Sequence, residues 1–510
     1  MVRFSRAMQT LRPDLFANRR AGVLLHVTSL PGRFDCGVLG TEARNFVEFL
    51  SKAGFTIWQT LPLGPVDAGT LSPYNVRSAD AGSPRLLDLD LAPAVPWRLT
   101  STELEDAHAW EIRRWLLNRL WERFRRLASP AEREAFLSFA RKERHWLLPF
   151  ALFQALKSAH DEQPWWEWPA LLRARHPEAI RQARVSHRYR IRQTMFEQFL
   201  FDEQWSELKR YANTRGVYLF GDMPVYVDLD SVEVWWRREL FQVDELGRAA
   251  VVSGVPPDYF SKEGQLWGHP IYAWDRIRAD GFRWWVDRIA GQLRRFDLLR
   301  IDHFRALESY WEVPGDATTA RIGHWAPGPG ASLLEALGRT SHLSGLVAED
   351  LGMITPAVRA LRERFGLPGM IVLQFAFDGS ADNPFLPANH VEHAVVYTGT
   401  HDNDTTLGWY RSLAPEVREK IDETLAAEPS GMPDVLIEAA CRSRARLAIL
   451  PMQDLLRLGS EDRMNTPGTT GGNWRWRFRW EDLPGDLAGR CRRLVEESGR
   501  APAPAPSPTR

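Results

Sequence analysis

The stretch Phe296-Asp297-Leu298-Leu299-Arg300-Ile301-Asp302-His303-Phe304-Arg305 holds the residues best suited to chemistry in this chain. An apolar run that ends in Arg-x-Asp-His reads as a buried strand with its reactive groups at the C-terminal end. Side chains alternate along a strand, so Leu298, Arg300 and Asp302 share one side, and Leu299, Ile301 and His303 take the other. An Arg two residues before an Asp can hold that carboxylate ionised and oriented. A buried structural Arg–Asp pair would leave the same pattern. Other apolar runs break the tie, because they too end in polar residues: Gly221-Asp222, Glu349-Asp350, Asp378 and His401-Asp402.

Four of these acids, Asp222, Asp302, Glu349 and Asp402, could converge at one site. Glycoside chemistry that retains anomeric configuration needs two carboxyl groups about 5–5.5 Å apart, one to attack the anomeric carbon and one to protonate the leaving oxygen. Asp302, beside Arg300, suits the nucleophile, and Glu349 has the reach of an acid/base. Val347 and Glu349 fall on one side of their strand and Ala348 and Asp350 on the other, so Asp350 competes for that role. Either acid could instead cap the helix that begins near Pro356. A His401–Asp402 pair could bond the hydroxyls of a distorted sugar and stabilise an oxocarbenium-like charge. Asn403 and Asp404 read as caps of the next helix. Metal binding by His303, His401 and the acids is the main rival chemistry, but no H-x-x-x-H or H-E-x-x-H occurs, and no metal is expected. No Gly-x-Ser-x-Gly elbow supports a serine hydrolase.

The elements that must position these groups are eight apolar runs: Val23–Val27, Thr56–Leu61, Val217–Phe220, Leu298–Ile301, Leu346–Ala348, Met370–Phe377, Ala394–Thr398 and Ala445–Leu450. Most are followed by a helical pattern, which predicts parallel strands with crossover helices. Eight such units fit a (β/α)8 TIM barrel, an α/β fold whose active site lies at the C-terminal ends of its strands. An open doubly wound sheet is the alternative, but no Gly-x-Gly-x-x-Gly follows a strand. Residues 1–92 would supply the first two strands and an active-site loop, and 215–500 the other six. Residues 93–214 read as a mainly helical insertion and 244–275 as a loop insertion, both at the C-terminal face of the strands. The Pro/Ala tail, 501–510, is expected to be disordered.

Composition narrows the function. Lys+Arg and Asp+Glu are equal at 65 each across 510 residues, so no global field favours nucleic acid or an anionic membrane. No apolar run approaches the ~20 residues of a membrane span. The basic segment Met1 to Asn18 lacks the apolar core of a signal peptide. Cys36, Cys441 and Cys491 are odd in number and widely spaced, which suits a reducing, cytoplasmic setting. The 22 tryptophans suit sugars, which offer C–H faces to flat indoles, although core packing accounts for most of them.

With these residues in place the chain resembles the 4-α-glucanotransferases of glycoside hydrolase family 77 (amylomaltase or disproportionating enzyme), in the α-amylase clan. The resemblance runs from about Gly22 to Phe478 and rests on Leu25-His26-Val27-Thr28-Ser29-Leu30-Pro31-Gly32, Trp58 to Pro65, Gly221-Asp222-Met223-Pro224-Val225-Tyr226-Val227, Gly254 to Ser261, Arg300 to Arg305, Ala348-Glu349-Asp350-Leu351-Gly352, Thr400-His401-Asp402-Asn403-Asp404, Arg463 to Gly468 and Gly472 to Trp476. It implies Asp302 as nucleophile, Glu349 rather than Asp350 as acid/base, and Asp402 as the transition-state carboxylate. Expected sugar contacts are Tyr74, Asp222, Asp258, Tyr259, Phe260, Trp267, Arg300, His303, Asp378, His401 and Asn465. It further implies transfer of α-1,4-glucan segments between maltooligosaccharides, starch or glycogen-derived glucans, no cofactor, and a monomer or homodimer.

The chain departs from the family pattern G-Y-G-D-S-P-Y-Q-S-x-S-x-x-A-G-N-P, reading Ala68-Gly69-Thr70-Leu71-Ser72-Pro73-Tyr74-Asn75-Val76-Arg77-Ser78-Ala79-Asp80-Ala81-Gly82-Ser83-Pro84. It also has His269 where Asn is usual, Pro149 and Phe150 where Asp and Tyr are usual, and Ala306 for Gly. These changes predict an altered donor or acceptor preference with the catalytic trio intact. Two rival readings remain open: an α-glucan hydrolase of the same clan, and a glucan-binding protein of low turnover.

Overall fold

Short runs of Val, Ile, Leu and Ala bury both faces when they pair in parallel and helices cover the outside. The computed structural model describes residues 14–66, 69–90, 95–100, 104, 109–257, 262–340, 342–426, 431–469 and 471–501. Its strands in chain order are β1 (Arg20–Leu24), β2 (Ile57–Gln59), β3 (Tyr218–Met223), β4 (Val251–Val255), β5 (Gln265–Pro270), β6 (Leu298–Ile301), β7 (Ser309–Pro314), β8 (His324–Pro327), β9 (Leu346–Ala348), β10 (Gly369–Val372), β11 (Ala394–Tyr397) and β12 (Leu447–Pro451). Eight of them form one parallel sheet in the order β10-β11-β12-β1-β2-β3-β6-β9. The Ala348 N–H donates to the Pro368 carbonyl at 2.9 Å and brings the two ends together, giving a (β/α)8 barrel.

Each of the eight apolar runs carries one barrel strand. The runs Val23–Val27 and Met370–Phe377 extend past their strands because the chain turns once its residues leave the ladder: Val27–Ser29 and Leu373–Phe375 are 3-10 turns. Alternation sorts the side chains as period two requires. Leu24, Ile57, Phe220, Leu298, Val347, Met370, Val395, Tyr397 and Ile449 fill the barrel interior. Val23, Trp58, Leu219, Leu299, Ile301, Ile371 and Leu450 face the helices.

Between β2 and β3 the chain runs through Trp110–Leu127, Pro130–Lys142, Arg144–Ala159, Pro177–Ser186 and Arg188–Asn213, all helical. Their shared core is aromatic. Phe124 and Phe196 lie 4.6 Å apart, with Trp121 and Phe136 against them. Pro149 and Phe150 sit inside Arg144–Ala159, where Phe150 is fully buried. Trp165, Trp168, Trp235 and Trp285 are likewise buried, so packing claims these tryptophans.

The segment 244–275 departs from its reading as a loop insertion. It holds β4 and β5, which join β7 and β8 in a second, antiparallel sheet ordered β5-β4-β7-β8. β5 pairs with its chain neighbour β4, but the β4–β7 pairing joins segments far along the chain, and no local periodicity announces it. The tail 502–510 lies outside the described residues.

The barrel axis is tight around β1. A Cβ on Gly22 would come within 2.5 Å of both the Ile57 side chain and the Ile57 carbonyl, and 2.9 Å of Ile449. Gly22→Ala should therefore destabilise the protein by about 1–3 kcal/mol through overpacking. A denaturant midpoint equal to that of the wild type would show that the neighbouring strands give way without cost.

Candidate active site

The register of β3 against β6 sets Asp222 beside Arg300. The guanidinium is nearly inaccessible and donates Nη1 to Asp222 Oδ2 at 2.6 Å, while Nη2 lies 2.8 Å from Asp302 Oδ1. One buried cation thus clamps two carboxylates from neighbouring strands. Asp302 is the first residue past β6, and its N–H donates to the Met223 carbonyl at 3.0 Å.

His303 then takes a left-handed conformation, φ 51°. A non-glycine residue there is strained, and strain of this kind gathers at functional sites. The turn aims the His303 N–H at Glu349 Oε2, 2.7 Å away, and the Leu351 N–H donates to Glu349 Oε1 at 2.8 Å. Both oxygens of Glu349 are therefore oriented by backbone. Asp350 faces the other way, accepting from Arg362 at 2.9 Å and from the Met370 N–H at 2.8 Å. Neither acid caps the next helix; Thr355 does.

Tyr74 closes the far side. Its hydroxyl lies 2.7 Å from Asp222 Oδ2 and 2.7 Å from His401 Nε2. A phenol has one proton, and Asp222 can only accept it. The Tyr74 oxygen must then accept from His401 Nε2–H, which fixes the tautomer. That same nitrogen lies 3.3 Å from Asp402 Oδ2, and Asn465 Nδ2 donates to Asp402 Oδ1 at 2.6 Å. Trp474 stands 5.9 Å from the Tyr74 ring and 6.0 Å from the His401 ring, and Arg463 donates to the Asp402 carbonyl at 3.0 Å. Neither was assigned a role from sequence, although both lie in the motifs 463–468 and 472–476. Asn403 accepts from Thr400, and Thr405, not Asn403 or Asp404, caps the following helix.

Burial, and then the crowding of like charges, governs the electrostatics of the site. Burial raises the Asp302 carboxyl above the ordinary range, and Asp222, Glu349 and Asp402 add to this against the pull of Arg300. Burial also raises Glu349. The ion pair expected between Arg300 and Asp302 is present, but burial outweighs its pull and raises the Asp302 carboxyl to about 8, so Arg300 does not hold it ionised as the sequence pattern suggested. Burial lowers His303 to about 3 and also lowers His401, so both imidazoles are neutral.

Trp267, on β5, sets its ring edge-on to His303 with centroids 4.7 Å apart. Asp378 does not join the cluster: it accepts from the Ser380 N–H at 2.9 Å within its own turn. Asp258, Tyr259 and Phe260 lie outside the described residues.

Beyond Tyr74, the divergent loop after β2 is anchored by contacts outside the Arg300 cluster. Leu71 is left-handed, φ 55°. Arg77 pairs with Glu162 of the helical insertion at 2.6 Å. Ser78 Oγ and the Ala79 N–H donate to Glu233 Oε1 at 3.0 and 2.9 Å, while Glu233 Oε2 is buried with no partner among the described residues. Burial, with Asp80 nearby, raises Glu233 to about 7. The unfolded chain gives up this proton near pH 4.5 and the folded chain only near 7, so stability falls as pH rises through that window. Glu233→Gln should flatten that slope by about 2–3 kcal/mol between pH 4.5 and 7 in chemical denaturation. An unchanged slope would mean that Glu233 is ionised in the folded protein.

A family model described as 4-alpha-glucanotransferase matches residues 25–482. The chain is 47% identical over 504 residues to a 4-alpha-glucanotransferase of Thermus thermophilus, covering 94% of this chain and 99% of that one. It is 44% identical to a 4-alpha-glucanotransferase of Synechocystis over 498 residues, covering 94% and 98%. The fold superposes on amylomaltase from Streptococcus agalactiae in complex with acarbose with a TM-score of 0.91 and 35% identity, covering 95% of this chain and 100% of that one. Amylomaltase from Corynebacterium glutamicum shares the fold at a TM-score of 0.75 and 19% identity, covering 95% and 76%. The chain with the Arg300-clamped carboxylates belongs to the 4-alpha-glucanotransferase family, glycoside hydrolase family 77.

Proposed function

We propose that the cluster around Arg300 is the active site of a retaining 4-α-glucanotransferase, with Asp302 as nucleophile, Glu349 as acid/base and Asp402 as the transition-state carboxylate. The observation that carries this reading is the placement of Asp302 and Glu349 on adjacent strands, with the His303 N–H of one strand end holding the carboxylate of the other. In the first step Asp302 Oδ attacks the anomeric carbon of a donor glucan while Glu349 gives its proton to the departing 4-oxygen. The product is a glycosyl-enzyme and a shortened glucan. In the second step ionised Glu349 takes the proton of an incoming 4-hydroxyl, whose oxygen displaces Asp302. One glycosidic bond replaces another, so no external energy source enters.

The other groups fit around that path. Asp222 Oδ1 and His303 Nε2 are buried without partners among the described residues, and sugar hydroxyls would satisfy them. Asp402, held by Asn465 and close to His401 Nε2, supplies negative charge where the oxocarbenium develops. Tyr74, with one face stacked on His401 at 5.4 Å, and Trp267, edge-on to His303, are the sugar platforms nearest the bond that breaks. Substrates are maltooligosaccharides and starch- or glycogen-derived α-glucans. The three cysteines are free and buried, which supports a reducing, cytoplasmic setting for a monomer or homodimer.

Incubation with maltotriose separates the candidate activities. Transfer yields glucose together with longer oligosaccharides, hydrolysis yields only shorter sugars, and binding without turnover yields neither. Asp302→Ala should lower transfer by at least about a hundredfold, since no other group supplies the covalent intermediate. Retention of more would reassign the nucleophile. Glu349→Gln should lose transfer from maltotriose while still accepting a glycosyl fluoride, whose leaving group needs no proton. Mass spectrometry of that reaction should find a glycosyl adduct on Asp302, and its absence would place the acid/base elsewhere.

A further inference from the structure

A hydrogen bond outside the carboxylate cluster joins its two flanks. The loop after β2 carries Tyr74, bonded to Asp222 and His401, and its next residue is Asn75. Strand β5 of the second sheet carries Trp267, against His303, and two residues on is His269. Asn75 Oδ1 lies 3.1 Å from His269 Nε2. The other imidazole nitrogen, Nδ1, lies 3.4 Å from the buried Ser253 Oγ on β4. Burial lowers His269 to about 4, so the ring is neutral: Nε2–H donates to Asn75, and Nδ1 accepts from Ser253. Tyr226 stacks flat on the imidazole at 6.0 Å and stands 6.3 Å from Trp267, which fixes the plane of the ring. Both partners are departures from the family pattern. Asn75 is one methylene shorter than Gln, and His269 reaches further than Asn, so the two changes offset each other in length.

We infer that the Asn75–His269 hydrogen bond is a strut that sets the separation between the Tyr74 flank and the Trp267 flank of the Asp302 cleft, and so positions the bound glucan. His269 is a positioning residue that acts through Asn75 and Trp267, and this role rests on the glucan-transfer reading of the site. Losing the strut lets the flanks drift apart and weakens binding of sugars that touch both, more than it slows the chemistry at Asp302.

The test is a double-mutant cycle on the full chain, with transfer from maltotriose and acarbose affinity by calorimetry as readouts. N75A and H269A should each raise KM and the acarbose Kd about tenfold, with kcat within about twofold. N75A/H269A should be no worse than either single change, because both remove the same bond. The exchange N75Q/H269N, which restores the summed reach, should return KM to within about twofold of wild type, whereas N75Q alone should not. Additive effects, unchanged KM in the single variants, or an exchange no better than N75Q would overturn the strut. If the alanine variants do not fold, the comparison of N75Q with N75Q/H269N decides it. Wild-type protein that neither transfers glucan nor binds acarbose would overturn the reading of the site and the strut with it.

Discussion

The Arg300 guanidinium is the interaction on which the site depends. Removing a cation from water is costly, and only close, well-oriented anions offset that cost. Asp222 supplies one from the neighbouring strand and Asp302 another from the end of the same strand. The clamp works because strand register in a parallel pair is exact in units of one residue. A slip of β3 against β6 would send Asp222 into the helical layer and leave Arg300 with Asp302 alone. The apolar interior layers, with Phe220, Leu298 and Val347 on three adjacent strands, enforce that register.

Around the clamp the site is assembled from groups that oppose one another. Arg300 contacts two of the four carboxylates, and burial, reinforced by the neighbouring acids, displaces the Asp302 carboxyl upward to about 8, so a proton remains available near neutrality. Glu349 is oriented by two backbone N–H groups; burial raises its carboxyl even though Arg300 and those two donors pull it toward the ionised form. The strained backbone of His303 is the cost of that arrangement: it turns one N–H toward Glu349 and leaves the neutral ring beside Trp267.

The helical insertion and the second sheet act on the cleft from outside the barrel. The insertion grips the loop after β2 through Arg77 and Glu162, and Glu233, on the helix Val232–Trp236, grips Ser78 and Ala79. The second sheet presents Trp267 and His269 from β5. Tyr74 and Trp267 therefore belong to different layers, and their relation to each other depends on contacts between those layers.

The sequence by itself determined the strand ends. Period-two burial requires Val, Leu and Ile runs, and the acids that follow those runs are exposed to one another once eight strands close. Asp222, Arg300, Asp302, Glu349, His401 and Asp402 were legible for that reason, and the choice of Glu349 over Asp350 came from the motif around them. Asn465 and Tyr74 were legible only through longer motifs, because they sit on loops with no period of their own. Tertiary structure alone decided the rest. The pairing of β4 with β7 joins two segments far apart in the chain, and nothing local encodes it. Asp378 ends an apolar run like the others, yet it bonds within its own turn, because run endings specify exposure and not direction. The raised Asp302 carboxyl follows from its burial among other acids, and the Asn75–His269 contact from the packing of the loop after β2 against β5. Both are distances between elements, which a one-dimensional pattern does not contain.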